Sequence, residues 1–301
     1  MIGAVAAVLL AVNLAAAFTL SQSPHPVLDF KVQNEKIVAI DDNDEVIHVK
    51  ALSSANNTIK LTSIDFLEEP DLLSSRKEYN RFMDRQGQIH DILTSGSAQI
   101  STVQGEVAVE MKSLQTTPTE FIFWVQLVVG NLGVLIGVAV WTLQRENEAA
   151  RHFLVSGVGL AFASISAGIY SSRPLALEEE VFRLLSGLNL LGVIIFCAGF
   201  LGMMWSFPRR LTDRPYTKIW YSWLALFFVV AALGVIPSMD ISQRSMPILT
   251  LTAAGYFLWQ QWQNSRGDAL TRQSLRWFIF VTLSGSTLFT LIVFIPATLG
   301  L

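Results

Sequence analysis

The chain contains a single cysteine, Cys197, and it lies inside a hydrophobic run. One thiol excludes a disulfide framework and any metal site built on cysteine pairs. A small buried hydrophobe is the expected role. Charge is scarce as well. Only 15% of the 301 residues are Asp, Glu, Lys or Arg, while 51% are hydrophobic; soluble domains carry about 25% charged residues. A net charge of −3 and an acidic soluble region give no electrostatic footprint for nucleic acid.

Catalytic signatures are missing too. No Gly-x-x-x-x-Gly-Lys phosphate loop, His-Glu-x-x-His zinc site or Gly-x-Ser-x-Gly nucleophile elbow occurs. His25, His48 and His90 are scattered without paired ligand spacing. His152 is expected at a membrane boundary, interfacial and partly solvated, rather than in a span interior where intramembrane Ser/His chemistry would need it. Asp41, Asp42, Asp44 and Glu45 lack the central Gly and closing Glu of a calcium loop, so they read as a solvated turn. No catalytic residue, metal or cofactor is expected.

The charge that exists is concentrated. Residues 21–119 hold nine Lys/Arg and fifteen Asp/Glu, a net charge of −6. The remainder is lipid-like. A hydrocarbon core about 30 Å thick is crossed by roughly 20 apolar residues in a helix. Six stretches qualify as candidate spans: Phe121–Leu143, His152–Tyr170, Leu184–Phe207, Trp220–Pro237, Pro247–Trp262 and Leu275–Leu299. The fifth is the weakest, because Gln260 and Gln261 cut into it. Ahead of them, Ile2–Phe18 is uncharged and ends Ala15-Ala16-Ala17, resembling a signal-peptidase site without a basic leader. A cleaved signal peptide and a retained anchor both fit residues 1–20.

Orientation follows from Lys/Arg in the short connectors. Residues 144–151, 208–219 and 263–276 carry nine, whereas 171–183 and 238–246 carry three. The first set is expected in the cytoplasm, which puts residues 21–119 outside. Six spans would then leave Leu301 at the outer face, so a protein signalling inward would need one further crossing. The expected organisation is a signal or anchor (1–20), a small α/β extracytoplasmic domain (21–119) and a polytopic helical bundle (120–301).

Within the outer domain, Val27–Val32, Lys36–Ile40, Val46–Val49, Thr58–Ile64 and Glu106–Met111 read as short strands. Helical spacing of Leu72/Leu73, Tyr79, Phe82/Met83 and Ile89 predicts a helix over Pro70–Ile92, divided in two at Gly87. In the bilayer, Gly130, Gly133 and Gly137, then Gly157, Ser164 and Gly168, then Gly192, Gly199 and Gly202 mark faces where helices approach closely. Helix packing is the main expectation for them. Lining of a ligand cavity is the other, with Gln126, Asn131 and Asn189 as polar contacts. Tyr170, Arg173 and Glu178–Glu180 fall at the outer mouth, within reach of a ligand or the outer domain.

Several segments together resemble a known family. They are Phe123-Trp124-Val125-Gln126-Leu127-Val128-Val129-Gly130; Ile169-Tyr170-Ser171-Ser172-Arg173-Pro174-Leu175-Ala176-Leu177; Phe182-Arg183-Leu184-Leu185-Ser186-Gly187-Leu188-Asn189; Phe207-Pro208-Arg209-Arg210-Leu211; and Arg272-Gln273-Ser274-Leu275-Arg276-Trp277-Phe278. Their order and spacing are similar to the sensor half of ComP-like bacterial membrane histidine kinases. The match covers residues 120–300 well and the outer domain loosely. The resemblance implies an outer domain, PDZ-like in some members, a multi-span bundle in the bacterial inner membrane, a homodimer, and an extracellular, lipid or peptide signal. It also implies a further span, a phosphoacceptor helix and an ATP-binding domain that these 301 residues lack. The expectation is therefore an input module cut before its last crossing. A transporter or lipid-handling protein with an extracytoplasmic binding domain is the alternative.

Overall fold

The computed structural model describes residues 2–21, 23–33, 36–40, 45–55, 57–102, 105–111, 121–212, 216–232 and 245–289. An N-terminal helix α1 (Ile2–Ser21) leads into a small antiparallel sheet of six strands. These are β1 (Asp29–Gln33), β2 (Lys36–Ile40), β3 (Val46–Ser53), β4 (Thr58–Ile59), β5 (Gln99–Thr102) and β6 (Glu106–Ala108). Helix α2 (Arg76–Thr94) interrupts them after two 3-10 turns, Ser63–Phe66 and Pro70–Leu72. Six more helices follow: α3 (Phe121–Leu143), α4 (Glu148–Ser171), α5 (Glu179–Ser206), α6 (Tyr216–Ala232), α7 (Ser245–Asn264) and α8 (Ala269–Phe289).

Strand order is β1-β2-β3-β5-β6, with β4 beside β3. Central β3 pairs with β2 through Val46–His48 and with β5 through its second half, and its register shifts between Val49 and Ala51. Such a shift bends a strand and raises its twist. The bend lets the sheet curl until Val27 N–H donates to Glu110 O at 2.8 Å, tying the chain after β6 to the chain before β1. Beneath it, Phe30, Ile37, Ala39, Leu52, Ile59 and Ile100 pack on Ile89, Ile92 and Leu93 of α2.

Helix α2 starts where Ser75 and Glu78 exchange a capping box: Glu78 N–H donates to Ser75 Oγ, and Ser75 N–H to Glu78 Oε2, both at 3.2 Å. A cap of this kind is worth about 1 kcal/mol. It begins after the Pro70 turn rather than at it. The helix also runs unbroken through Gly87, contrary to a division there. Gly87 is buried against α5; a Cβ at this position would meet the Glu179 Cβ at 3.0 Å. The glycine permits close approach of two helices rather than ending one.

Four helices, α1, α3, α4 and α5, are long and apolar enough to cross a membrane. Helix α6 contains a shorter apolar stretch, Tyr221–Ala231. Helices α6, α7 and α8 occupy the remaining predicted positions, but among the described residues they do not reach that standard, so the expectation of six spans is met by three of the six. The acidic turn at 41–44 lies outside the described residues.

The tightest packing is between α3, α4 and α5, and glycine is its cause. A Cβ on Gly157 would collide with the Gly133 carbonyl of α3. One on Gly159 would collide with the backbone of Phe196 and Gly192 in α5. Where the surroundings are as apolar as the side chains, helix association depends on such van der Waals proximity rather than on exclusion of water. Asn189 adds a hydrogen bond from Nδ2 to Ala163 O at 3.0 Å.

Candidate functional site at the joint of sheet and bundle

The connector between α4 and α5, residues 172–178, enters the sheet domain. Leu175 and Ala176 are buried in the same core as Leu52, Ile89 and Ile100, while Leu177 packs with Phe82, Phe123 and Phe182. Two cores thus share one seven-residue segment, and the two parts of the molecule interlock.

Arg173 is the centre of this joint. It is buried, with 9% exposure. Nη2 donates to Leu67 O at 2.5 Å, and Nη1 donates to Glu68 O at 3.1 Å and Tyr170 O at 2.6 Å. Nε donates to Gln86 Oε1 at 3.1 Å. The guanidinium plane also lies 4.7 Å from the Phe182 ring centroid and 5.8 Å from that of Phe82. Those two rings meet edge to face at 5.6 Å, and Tyr170 stacks on Phe182 at 5.6 Å. Burial lowers the Arg173 guanidinium to about 10, which leaves it cationic at neutral pH. A planar fork suits this place because it serves three carbonyls and two aromatic faces at once.

The segment that Arg173 grips is held equally firmly on its other side. Asp65, fully buried, receives Nε and Nη2 of Arg85, both at 2.6 Å, and also the Thr62 N–H at 2.7 Å. Gln86 spans the two arrangements, donating Nε2 to Asp65 O at 2.8 Å while it accepts from Arg173. Residues 67–73 form a strap between the sheet domain and α4–α5. In this strap burial pushes the Glu69 carboxyl up to about 7, and the charges of Asp71 and Glu68 push it the same way. At the rim, Arg183 of α5 reaches Asp84 at 2.7 Å and Asn80 at 3.2 Å on α2.

The opposite end of the bundle has its own polar cluster. His152 is buried, with 7% exposure, and its Nδ1 shares a hydrogen bond with the Tyr221 hydroxyl of α6. This corrects the expectation of a partly solvated side chain: Gly202 of α5 sits directly beneath the ring and leaves space for it. Gln261 donates to Trp205 O at 3.2 Å and Arg209 O at 2.6 Å. The amide that weakened the fifth span in sequence therefore joins the Leu211 N–H on the Trp205 carbonyl at the end of α5 and satisfies the Arg209 carbonyl just beyond it. Arg209 pairs with Asp268 at 2.6 Å, and Asp268 accepts the Thr271 N–H at the start of α8.

The five residues named as candidate ligand contacts do not converge on one cavity. Tyr170 and Arg173 belong to the joint. Gln126 packs its Cβ near Gly168 of α4. Asn131 donates to Leu127 O at 2.8 Å and to Asn13 Oδ1 of α1 at 3.2 Å. Asn189 bonds α4. A separate cavity of about 580 Å³ lies between α1 and α3–α5, lined by residues such as Val5, Val12, Val134, Val158, Ile165 and Leu188. Among the described residues no group of three or more His, Cys, Asp or Glu is placed to hold a metal ion. Gln86, Asp65 and Glu69 were not singled out from sequence; their only signal was polarity within a helical or turn segment.

No family model, no curated protein and no solved structure matches the chain.

Proposed function

We propose that this chain is the sensor module of a bacterial two-component membrane histidine kinase, with the sheet domain outside the inner membrane. The observation that carries the reading is the shared connector. A ligand or stimulus that moves the sheet domain acts on Arg173, Leu175 and Ala176, and hence on α4 and α5 without a flexible hinge between. The far ends of those helices bear His152 on Tyr221 and the α5 carbonyls on Gln261, so a shift reaches α6 and α7. A signal then works by favouring one of two packings, and dimerisation through the bundle would carry it to an output. The Arg-rich connectors at 144–151, 208–219 and 263–276 favour the cytoplasm for that end.

The test is the gene itself. A further span, a phosphoacceptor helix and an ATP-binding domain encoded in frame after codon 301 would support the reading. A stop codon there would overturn it. The apolar cavity beside α1 favours a second reading, lipid handling by the bundle. That reading gains if a stop codon is found and a lipid purifies with the chain at fixed stoichiometry.

A further inference from the structure

We propose that the cavity between α1 and helices α3–α5 is a binding site for a single-chain lipid with a small uncharged head group, of which a long-chain alcohol is the simplest example. The inference goes beyond the sensor reading, because four helices define the site whatever follows residue 301.

The helices around the cavity are the four that are long and apolar enough to cross a membrane, so in a bilayer its surroundings are hydrocarbon. Along α1 the lining runs from Ala4 to Thr19, roughly 22 Å of helix. Across from it stand Val134 of α3, Val158 and Ile165 of α4, and Leu188 of α5. The volume of about 580 Å³ falls in the range of small-molecule pockets, about 300–1,000 Å³. An extended carbon chain advances about 1.2 Å per bond, a third of the span of one extended residue. The slot therefore suits one chain of roughly 16 to 18 carbons.

The polar side chains in the lining are Thr19 and Ser166, and both lie toward the sheet-domain ends of their helices. Thr19 donates its hydroxyl to Ala15 O at 3.0 Å and keeps lone pairs free to accept. Ser166 is 4% exposed, and among the described residues its hydroxyl has no partner. A buried hydroxyl without a partner carries a desolvation cost that a bound head group offsets. An alcohol head offers Ser166 both a donor and an acceptor, and its chain then runs along α1 toward Ala4.

The same walls exclude other lipids. Among the described residues no Asp, Glu, Lys, Arg or His lines the cavity, so a carboxylate or phosphate would be buried without a counter-charge, which is heavily disfavoured. The sheet-domain end is also covered: Ala16 and Leu20 share one core with Leu73 and Tyr79 of the sheet domain and with Ile169 and Leu185. A phospholipid head group has no exit there. Helix α1 is held as the fourth wall by an amide pair, Asn131 Nδ2 donating to Asn13 Oδ1 at 3.2 Å. The site therefore requires residues 1–20 to be retained as an anchor.

The test uses the full chain in nanodiscs of phosphatidylcholine and phosphatidylglycerol, titrated with n-hexadecanol bearing a diazirine at its methyl end. Labelled residues are mapped by mass spectrometry. Saturable labelling near Ala4, Val5 and Val158 is expected, competed by unlabelled hexadecanol and not by hexadecyl sulfate. Val12→Trp, which fills the slot, is expected to abolish that labelling, whereas Leu14→Trp, at an exposed position of α1 outside the lining, leaves it unchanged. Ser166→Ala is expected to bind the alcohol about three- to tenfold more weakly. Unsaturable labelling spread over exposed positions such as Trp124 and Leu132, equal competition by hexadecyl sulfate, labelling that survives in Val12→Trp, or an unaltered affinity in Ser166→Ala overturns the proposal. So does an intact mass showing that the mature chain begins after Ala17. A stop codon after residue 301 would remove the sensor reading and change none of these outcomes.

Discussion

Helices α3–α5 and helices α6–α8 are both apolar, yet they are assembled on different principles. The first three meet along glycine faces at backbone distance. Helices α6 and α7 pack on α5 through larger side chains, Leu224 on Ile194 and Ala198 and Ala254 beside Leu201 and Met204, and polar contacts join the groups at one end: His152 with Tyr221, Gln261 with Trp205 and Arg209, and Arg209 with Asp268. Large apolar side chains stay exposed in both groups, among them Trp124, Leu132 and Ile136 in the first and Trp223, Leu251 and Trp277 in the second. The difference lies in how closely the backbones approach: the group that receives the sheet domain is joined through glycine, and the second is attached to it through side chains.

The largest effect should come from breaking the rigid group. Gly159→Leu places a side chain in the α5 backbone and is expected to cost more than about 3 kcal/mol, seen as loss of the monodisperse peak in size-exclusion chromatography. Gly255→Leu in α7 meets no atom within 4 Å of its new Cβ and should leave the peak intact. If both variants behave alike, the distinction between the two groups is wrong. Next, Gln261→Leu leaves the carbonyls of Trp205 and Arg209 without this donor, at about 1–3 kcal/mol. It should make the 263–268 turn more sensitive to protease while α3–α5 keep their exchange protection. The smallest effect belongs to Arg183→Ala. That ion pair is about a third exposed on Arg183 and 58% exposed on Asp84, so less than about 1 kcal/mol is expected, measured as a small, salt-dependent change in melting temperature.

How much of this was legible in sequence depends on the range of the interaction. Helix α3 matches the expected Phe121–Leu143, because an uncharged run closed by Gln144 and Arg145 is a local signal. Strand β2 was equally clear in Lys36–Ile40. Strand β5 was missed: Gln99-Ile100-Ser101-Thr102 has one strong hydrophobe, and its place depends on β3 and β6 on either side. The glycine faces were read correctly as packing, since small residues at helical spacing have few other uses. Of the joint, the place of Tyr170 and Arg173 at the outer mouth, within reach of the outer domain, was legible; the burial of Arg173 there was not, and nothing in Leu175-Ala176 announces that they complete the core of a domain far upstream of them. His152 was misjudged for the same reason, as its partner Tyr221 lies on another helix.

The central claim is that the sheet domain and the α4–α5 pair form one body through Arg173. Spin labels at Lys50→Cys on the sheet and Leu184→Cys on α5, both exposed positions, in a Cys197→Ala background test it by pulsed electron resonance in nanodiscs. A narrow single distance is expected, broadening in Arg173→Met, where the Leu67, Glu68 and Tyr170 carbonyls lose their charged donor at about 1–3 kcal/mol. A distribution already broad with Arg173 in place, or one that stays narrow without it, would contradict the account.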